Sequence, residues 1–87
     1  MTQFEYNFLT KAQVDGVKEL IDLCRNGYQV IFGATLCTGR RYKLRHSCNG
    51  RTLIVNIYRY SYSIEEGKKV LKMVVYDENG RVMQPDN

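Results

Sequence analysis

Residues 37–50, CTGRRYKLRHSCNG, decide the fold of this chain of 87 residues. Two triplets that end in glycine, at 37–39 and 48–50, enclose a run in which apolar and charged side chains alternate. Glycine adopts a positive φ without steric cost, so such triplets between alternating runs predict hairpin turns. The stretch therefore predicts one strand of an antiparallel sheet, with a turn at each end.

The same signal recurs twice further along the chain, at 65–67 (Glu-Glu-Gly) and at 78–80 (Glu-Asn-Gly). Runs rich in β-branched and aromatic residues separate these turns, as is typical of strands. The predicted strands are 28–36, 40–48, 51–64 and 68–77, with a short additional strand from Arg81 to Met83. Together they form an antiparallel meander.

A helix is predicted before the meander. Thr10 and Gln13 form a capping-box pattern, and Asn26-Gly27 predicts a left-handed C-cap. Between them lies an apolar stripe at helical spacing, composed of Val14, Val17, Leu20, Ile21 and Cys24. Such a helix can cover one face of a sheet. The sequence therefore predicts an α+β fold, with one N-terminal helix packed on one face of a four- to five-stranded antiparallel β-meander.

The length predicts a single small domain over residues 1–87, because the chain is long enough for one core only. At residues 1–9, aromatic and polar side chains alternate, which predicts an N-terminal strand or an extended arm. Residues 84–87 contain the one proline and are predicted to form a loose C-terminal tail.

The turns also predict which side chains share a face. A three-residue loop at 37–39, with Gly39 left-handed, sets Phe32 opposite Leu44, and a two-residue turn at 49–50 sets Leu44 opposite Val55. A three-residue loop at 65–67 sets Ile57 opposite Val75. The face predicted to lie under the helix contains Val30, Phe32, Ala34, Leu36, Tyr42, Leu44, Leu53, Val55, Ile57, Leu71, Met73 and Val75.

The opposite face is predicted to be basic and rich in tyrosine. Its candidate binding residues are Arg41, Lys43, Arg45, Tyr58, Tyr60, Tyr62, Lys68 and Lys72. The same face is predicted to carry Ile31, Thr35, Ile54, Asn56, Val70, Val74 and Tyr76. Aromatic rings that stack on bases, next to cations that bind phosphates, are typical of surfaces that bind single-stranded nucleic acid. A two-stranded ribbon in the major groove of a duplex is a further mode. The net charge of +4 is compatible with either mode.

A protein-binding surface is the alternative. Tyrosine and arginine are enriched at protein interfaces, and the apolar residues of this face add area that a phosphate-binding surface does not need. A small adaptor or inhibitor of the mobile-element or anti-defence type, which blocks a partner that handles nucleic acid, would use the same face. An exposed edge strand would also allow a homodimer. A solvated face with no partner carries a similar mixture of tyrosine and charge.

No enzyme is predicted, because the sequence has no phosphate-binding glycine loop and no nucleophile with an orienting carboxylate. No cofactor is expected either. The spacing of Cys37, His46 and Cys48 lacks a CxxC pair, so no metal site is predicted. A pair of thiols from Cys24 and Cys48 beside His46 is the one arrangement of this kind that the predicted sheet would permit.

A cytoplasmic location is predicted. No apolar stretch approaches the roughly 20 residues that span a bilayer, and the first residues lack the pattern of a signal peptide. The three cysteines are an odd number, whereas secreted disulfide scaffolds usually have an even and denser set. No contact with a membrane is expected.

Overall fold

The structure of the protein is a computed structural model, which describes residues 9–83. A helix is followed by five strands. These elements are α1 (Lys11–Arg25), β1 (Tyr28–Thr35), β2 (Gly39–His46), β3 (Thr52–Tyr58), β4 (Ser61–Glu66) and β5 (Lys69–Val75). The strands form one antiparallel sheet in the order β1-β2-β3-β4-β5, which is not closed. The predicted α+β fold, with the helix N-terminal to the meander, is confirmed.

Two predicted segments lie outside the described residues. They are the C-terminal tail at 84–87 and, apart from Leu9, the N-terminal strand or arm at 1–9. The short strand predicted at 81–83 is present as a single bridge, in which Val82 pairs with Tyr76.

The helix begins and ends where its capping residues predict. The backbone N–H of Gln13 donates to Thr10 Oγ1 over 3.2 Å, and the backbone N–H of Thr10 donates to Gln13 Oε1 over 2.9 Å. At the other end Asn26 is the C-cap, and Gly27 has a φ of 99°. This left-handed residue turns the chain into β1.

Small residues, rather than the predicted apolar stripe, bring the helix closest to the sheet. Ala12 and Gly16 are buried, and a Cβ at Gly16 would lie 2.8 Å from Ile57 Cγ1. Leu20 is partly buried against the core, as predicted, but Val17 and Ile21 are exposed. The predicted apolar stripe is therefore only partly buried.

The core lies between α1 and the middle of the sheet. It consists of Ala12, Tyr28, Leu44, Leu53, Val55, Ile57, Tyr62, Ile64 and Tyr76. Leu44 and Val55 are its largest fully buried side chains. Three of its members are tyrosines, and the hydroxyl groups of Tyr62 and Tyr76 reach carboxylates of the helix.

The predicted register between β1 and β2 is wrong. Leu36 and Gly39 exchange backbone hydrogen bonds around a two-residue loop, and Gly39 has no positive φ. This loop sets Phe32 opposite Lys43, and a bulge at Ile31 then shifts the register, so that Val30 lies opposite Leu44. Phe32 and Ala34 consequently lie on the face away from the helix, and Thr35 lies on the helix side.

The next hairpin keeps its predicted faces although its turn is longer than predicted. The N–H of His46 donates to the carbonyl oxygen of Arg51 over 2.8 Å, and this pair encloses a loop of four residues, 47–50. Leu44 therefore lies opposite Leu53 rather than Val55. Because this shift is two residues, every side chain of β2 and β3 stays on its predicted face.

The largest error concerns the predicted strand at 51–64. The chain reverses at Arg59 and Tyr60, and the two halves of the segment pair with each other as β3 and β4. Residues from Ser61 onward therefore have the opposite parity to the one predicted. In β5, there is a second bulge near Leu71, and Met73 and Val75 lie on the face away from the helix instead of in the core.

Gly39 provides a test of this packing. A Cβ at Gly39 would lie 2.1 Å from the carbonyl oxygen of Ile57, which is backbone and cannot move aside cheaply. We expect Gly39→Ala to lower the free energy of unfolding by about 1–3 kcal/mol, the usual cost of overpacking. In Gly33→Ala, by contrast, the nearest atom is 3.4 Å away, on the Tyr42 ring, so stability should change little. Urea denaturation followed by circular dichroism measures both variants, and equal stabilities would contradict the packing described.

Candidate nucleic-acid or protein interface

Three cations form a column on the face of the sheet opposite to α1, called here the open face. Arg41, Lys43 and Arg45 alternate along β2 with residues that face the helix, and all three are exposed. Their cross-strand neighbours on β1 are Ala34, Phe32 and Gln29. This part of the candidate site lies where the alternation of β2 predicts it.

The predicted row of three tyrosines does not exist. Tyr58 ends β3 on the open face, but Tyr60 lies in the reversal after it, where its ring is 5.6 Å from the Arg59 guanidinium carbon. Tyr62 lies on the helix side, only 4% exposed, and its hydroxyl donates to Glu19 Oε2 over 2.9 Å. The reversal at 59–60 exchanges the faces of the residues after it, which is why Tyr62 cannot join the site.

The two lysines of the predicted site are also separated from the cation column. Lys68 is exposed in the turn between β4 and β5. Lys72 lies opposite Ile64 on the helix side and forms an ion pair with Glu19. The hydrogen bond to Glu19 raises the pKa of Lys72 above its ordinary value of 10.5. Lys72 is therefore engaged within the fold, and its placement in the site is wrong.

A polar network occupies the centre of the open face. Arg41 Nε donates to Asn56 Oδ1 over 2.9 Å, and Asn56 Nδ2 donates to Glu65 Oε2 over 2.7 Å and to Ser63 Oγ over 3.3 Å. Asn56 and Ser63 are buried although they lie on the open face. The network orients Arg41 and brings a carboxylate next to the cation column, which sequence analysis did not predict.

Apolar side chains flank this polar centre on both sides. Phe32 of β1 is 59% exposed and lies directly opposite Lys43. On β5, Val70 and Val75 are exposed and Met73 is 61% exposed. The predicted core included Phe32, Met73 and Val75, because neither the two-residue loop after β1 nor the reversal at 59–60 was predicted.

The opposite side of the sheet carries a second polar network, between α1 and the strands β4 and β5. Besides the Tyr62–Glu19 bond, Tyr76 donates from its hydroxyl to Asp15 Oδ2 over 2.6 Å. Lys11 Nζ lies 3.2 Å from Asp15 Oδ1. These contacts tie the first turns of the helix to the end of the sheet.

Burial and hydrogen bonds within this network shift the pKa values of Asp15, Tyr62 and Tyr76. Burial by itself would raise the pKa of Asp15, but hydrogen bonds from Tyr76 and Lys11, with the charges of Lys11 and Lys18, lower it below 3.8. Burial and the bond to Asp15 raise the pKa of Tyr76, and burial and the bond to Glu19 raise the pKa of Tyr62. At neutral pH the two tyrosine hydroxyls are therefore protonated donors, and Asp15 is a charged acceptor.

The three cysteines lie at the surface. Cys24, Cys37 and Cys48 are all free and exposed. Within residues 9–83, no three histidine, cysteine, aspartate or glutamate side chains are grouped closely enough to hold a metal ion. His46 is engaged locally instead: its Nε2 is 3.0 Å from the carbonyl oxygen of Asn26, and its Nδ1 accepts from the backbone N–H of Cys48 over 3.1 Å.

Comparisons of the chain with protein-family models, with curated proteins and with solved structures found no match. Among the described residues, no helix is both long enough and apolar enough to cross a membrane.

The Tyr76–Asp15 bond predicts a pH dependence of stability. The pKa of Asp15 is lower in the folded protein than in the unfolded chain, so its contribution to stability is present above about pH 4 and is lost as the pH falls through the folded pKa. Tyr76→Phe removes the hydrogen bond but keeps the ring. We expect a loss of about 1–2 kcal/mol at neutral pH that shrinks below pH 4. Urea denaturation between pH 2 and pH 7 measures this difference, with Tyr60→Phe as the exposed control. A difference that is independent of pH would contradict the assignment.

Proposed function

We propose that this chain is a non-enzymatic binding module that binds a partner protein through the open face. The observation that carries the proposal is the exposed aliphatic edge formed by Val70, Met73 and Val75, on the same face as the cation column. Burying aliphatic side chains against an apolar partner surface gives about 25 cal/mol per Å². Phosphates and bases offer no comparable gain to such side chains.

The open face has a basic half on β2 and an apolar half on β5, and these two halves determine the chemistry of the partner. The columns of β2 and β5 are three strands apart, which is about 14 Å at the usual strand spacing. A partner that covers both presents acidic groups to Lys43 and Arg45 and an apolar patch to Met73 and Val75. Glu65, between the two halves, would repel a phosphate backbone but can accept hydrogen bonds from a protein.

Single-stranded nucleic acid is the second candidate, and Phe32 favours it. An exposed aromatic ring directly opposite Lys43 provides one stacking surface beside cations, with Tyr58 on the same face. The remaining members of the predicted stacking row are absent from this face. This candidate therefore depends on fewer contacts than the protein interface.

Edge-to-edge pairing of two copies is not part of the proposal. Both edge strands of the described sheet carry a bulge, at Ile31 in β1 and at Leu71 in β5, and bulges oppose the addition of a further strand. At the end of β5, the backbone N–H of Met83 also donates to the carbonyl oxygen of Val75 over 2.7 Å.

Matched charge reversals test the proposal. Lys43→Glu/Arg45→Glu changes the open face, whereas Lys18→Glu/Arg25→Glu makes the same change of net charge on the helix, where both lysine and arginine are exposed. A partner is first captured from extracts of the cells that encode the chain and then purified for binding measurements. We expect the open-face variant and Val70→Ser/Met73→Ser each to lose at least about tenfold in affinity, and the helix variant to bind like the wild type.

Fluorescence anisotropy with single-stranded DNA and RNA, at about 50 and about 200 mM salt, tests the second candidate. Tight, salt-sensitive binding that Lys43→Glu/Arg45→Glu abolishes and Val70→Ser/Met73→Ser leaves unchanged would overturn the protein-interface proposal in favour of nucleic acid. If the captured partner binds both open-face variants as tightly as it binds the wild type, the assignment of the binding surface to the open face would be overturned.

A further inference from the structure

Arg41 differs from the other two cations of the column because the sheet holds its guanidinium in place. Its Nε donates to Asn56 Oδ1 over 2.9 Å. Within residues 9–83, the side chains of Lys43 and Arg45 have no such hydrogen bond and no ion pair. A long side chain that is already held loses less conformational entropy when a partner binds. Arg41 is therefore the cation of the column that is ordered before a partner arrives.

The position of Arg41 is well defined because Asn56 is itself fixed from the other side. Asn56 is only 3% exposed, and its Nδ2 donates to Glu65 Oε2 over 2.7 Å and to Ser63 Oγ over 3.3 Å. An arginine Nε can only donate, and an ionised carboxylate can only accept, so the amide of Asn56 has one orientation that satisfies both neighbours. Three adjacent strands, β2, β3 and β4, thus contribute to one chain of hydrogen bonds that ends at the guanidinium.

The hydrogen bond at Nε decides which edge of the guanidinium can meet a partner. Elsewhere in this fold, Arg51 binds Glu66 side-on, through Nε over 2.6 Å and Nη2 over 2.8 Å. Arg41 cannot bind a carboxylate in that way, because its Nε already donates to Asn56. Its two terminal nitrogens carry four further N–H groups, which form a planar fork at the end of the side chain. Within the described residues, no ion pair uses this fork.

The charge beside the fork favours a carboxylate over a phosphate. Glu65 lies one amide group away from Arg41, on the other side of Asn56. Salt does not fully screen charges this close together, so Glu65 opposes an incoming anion, and opposes it more the greater the charge of that anion. A carboxylate carries one charge on two coplanar oxygens, whereas a phosphate monoester carries about −1.5 to −2, and a nucleic acid brings one charge with every nucleotide. A single carboxylate therefore fits this position best.

We propose that Arg41 is the principal contact residue of the open face, and that its terminal nitrogens bind one aspartate or glutamate side chain of the partner end-on. This rests on the proposed function, because it requires a protein partner at the open face. Asn56 is a positioning residue, which acts through Arg41, and Glu65 excludes phosphates. Lys43 and Arg45 attract the partner at longer range.

Acetate and inorganic phosphate test the site without a partner. In the full chain labelled with ¹⁵N-arginine, nuclear magnetic resonance follows the side chains of Arg41 and Arg45 as either anion is added at constant ionic strength. We expect acetate to bind Arg41 roughly three- to tenfold more tightly than Arg45, and phosphate to show no such preference. Equal acetate affinities of the two arginines would overturn the proposal. A preference of Arg41 for phosphate would overturn the assignment of a carboxylate.

Two variants separate the roles of the neighbours of Arg41 in the same titration. In Asn56→Leu, with folding checked by circular dichroism, Arg41 should respond to acetate like Arg45. Glu65→Gln keeps the shape and an acceptor for Asn56 but removes the charge, so phosphate should bind Arg41 at least about threefold more tightly than in the wild type. Glu78→Gln makes the same change of net charge at an exposed turn and should not alter phosphate binding. Equal effects of Glu65→Gln and Glu78→Gln would contradict the role of Glu65.

Replacement of arginine by lysine in the complex with the purified partner distinguishes this proposal from the proposed function. Arg41→Lys keeps the charge but removes the fork, and Arg45→Lys is the matched control. We expect Arg41→Lys to lose at least about tenfold in affinity and Arg45→Lys less than about twofold. Asn56→Leu should weaken binding in the wild type but have no further effect in Arg41→Lys, because the two residues act together.

The outcomes for the two proposals differ. If Arg41→Lys binds like the wild type while Lys43→Glu/Arg45→Glu loses affinity, the role of Arg41 is overturned and the open face remains the binding surface. If neither variant loses affinity, the proposed function is overturned as well. Equal effects of Asn56→Leu in both backgrounds would show that Asn56 does not act through Arg41.

Discussion

The contact between Gly16 of α1 and Ile57 of β3 sets the distance between the helix and the sheet, and the helix side of the molecule depends on it. Without a Cβ at Gly16, the helix backbone lies against the central strand. At this distance the hydroxyls of Tyr62 and Tyr76 reach carboxylates on the helix. A helix is about 10–12 Å wide, whereas five strands span about 19 Å between the outer axes. Within residues 9–83, a helix centred on β3 therefore leaves the sheet uncovered on both sides.

The two uncovered sides of the sheet differ in the chemistry of their side chains. Towards β5, Lys72 and the tyrosine hydroxyls meet Asp15 and Glu19, so the side chains can face water while their polar atoms are paired. Towards β1, the exposed groups are aliphatic and gain only from burial. Among the described residues, one side is therefore paired as a polar network, whereas the other leaves aliphatic side chains exposed.

The fold and the cation column could be predicted from the sequence because turn residues and alternation are local signals. The turns and the alternation identify the core residues of β2 and β3 directly. The tyrosine row could not be predicted correctly, because the reversal at Arg59 and Tyr60 contains no glycine, proline or asparagine. A weaker signal was present: the core positions of β3 are odd-numbered up to Ile57, whereas those of β4 are even-numbered from Tyr62. Such a change of parity marks an interruption of the strand.

The bulges are harder to predict, because an inserted residue in a strand changes only the register of the residues after it. At Ile31 the consequence is that Phe32 lies on the open face, whereas Val30 lies on the helix side of the sheet. Long apolar side chains precede and follow the bulge in the sequence. Composition alone therefore does not show which face of β1 belongs to the core. The pairing of β1 with β2 decides which face each of these side chains occupies, and this pairing is set by the length of the loop after β1.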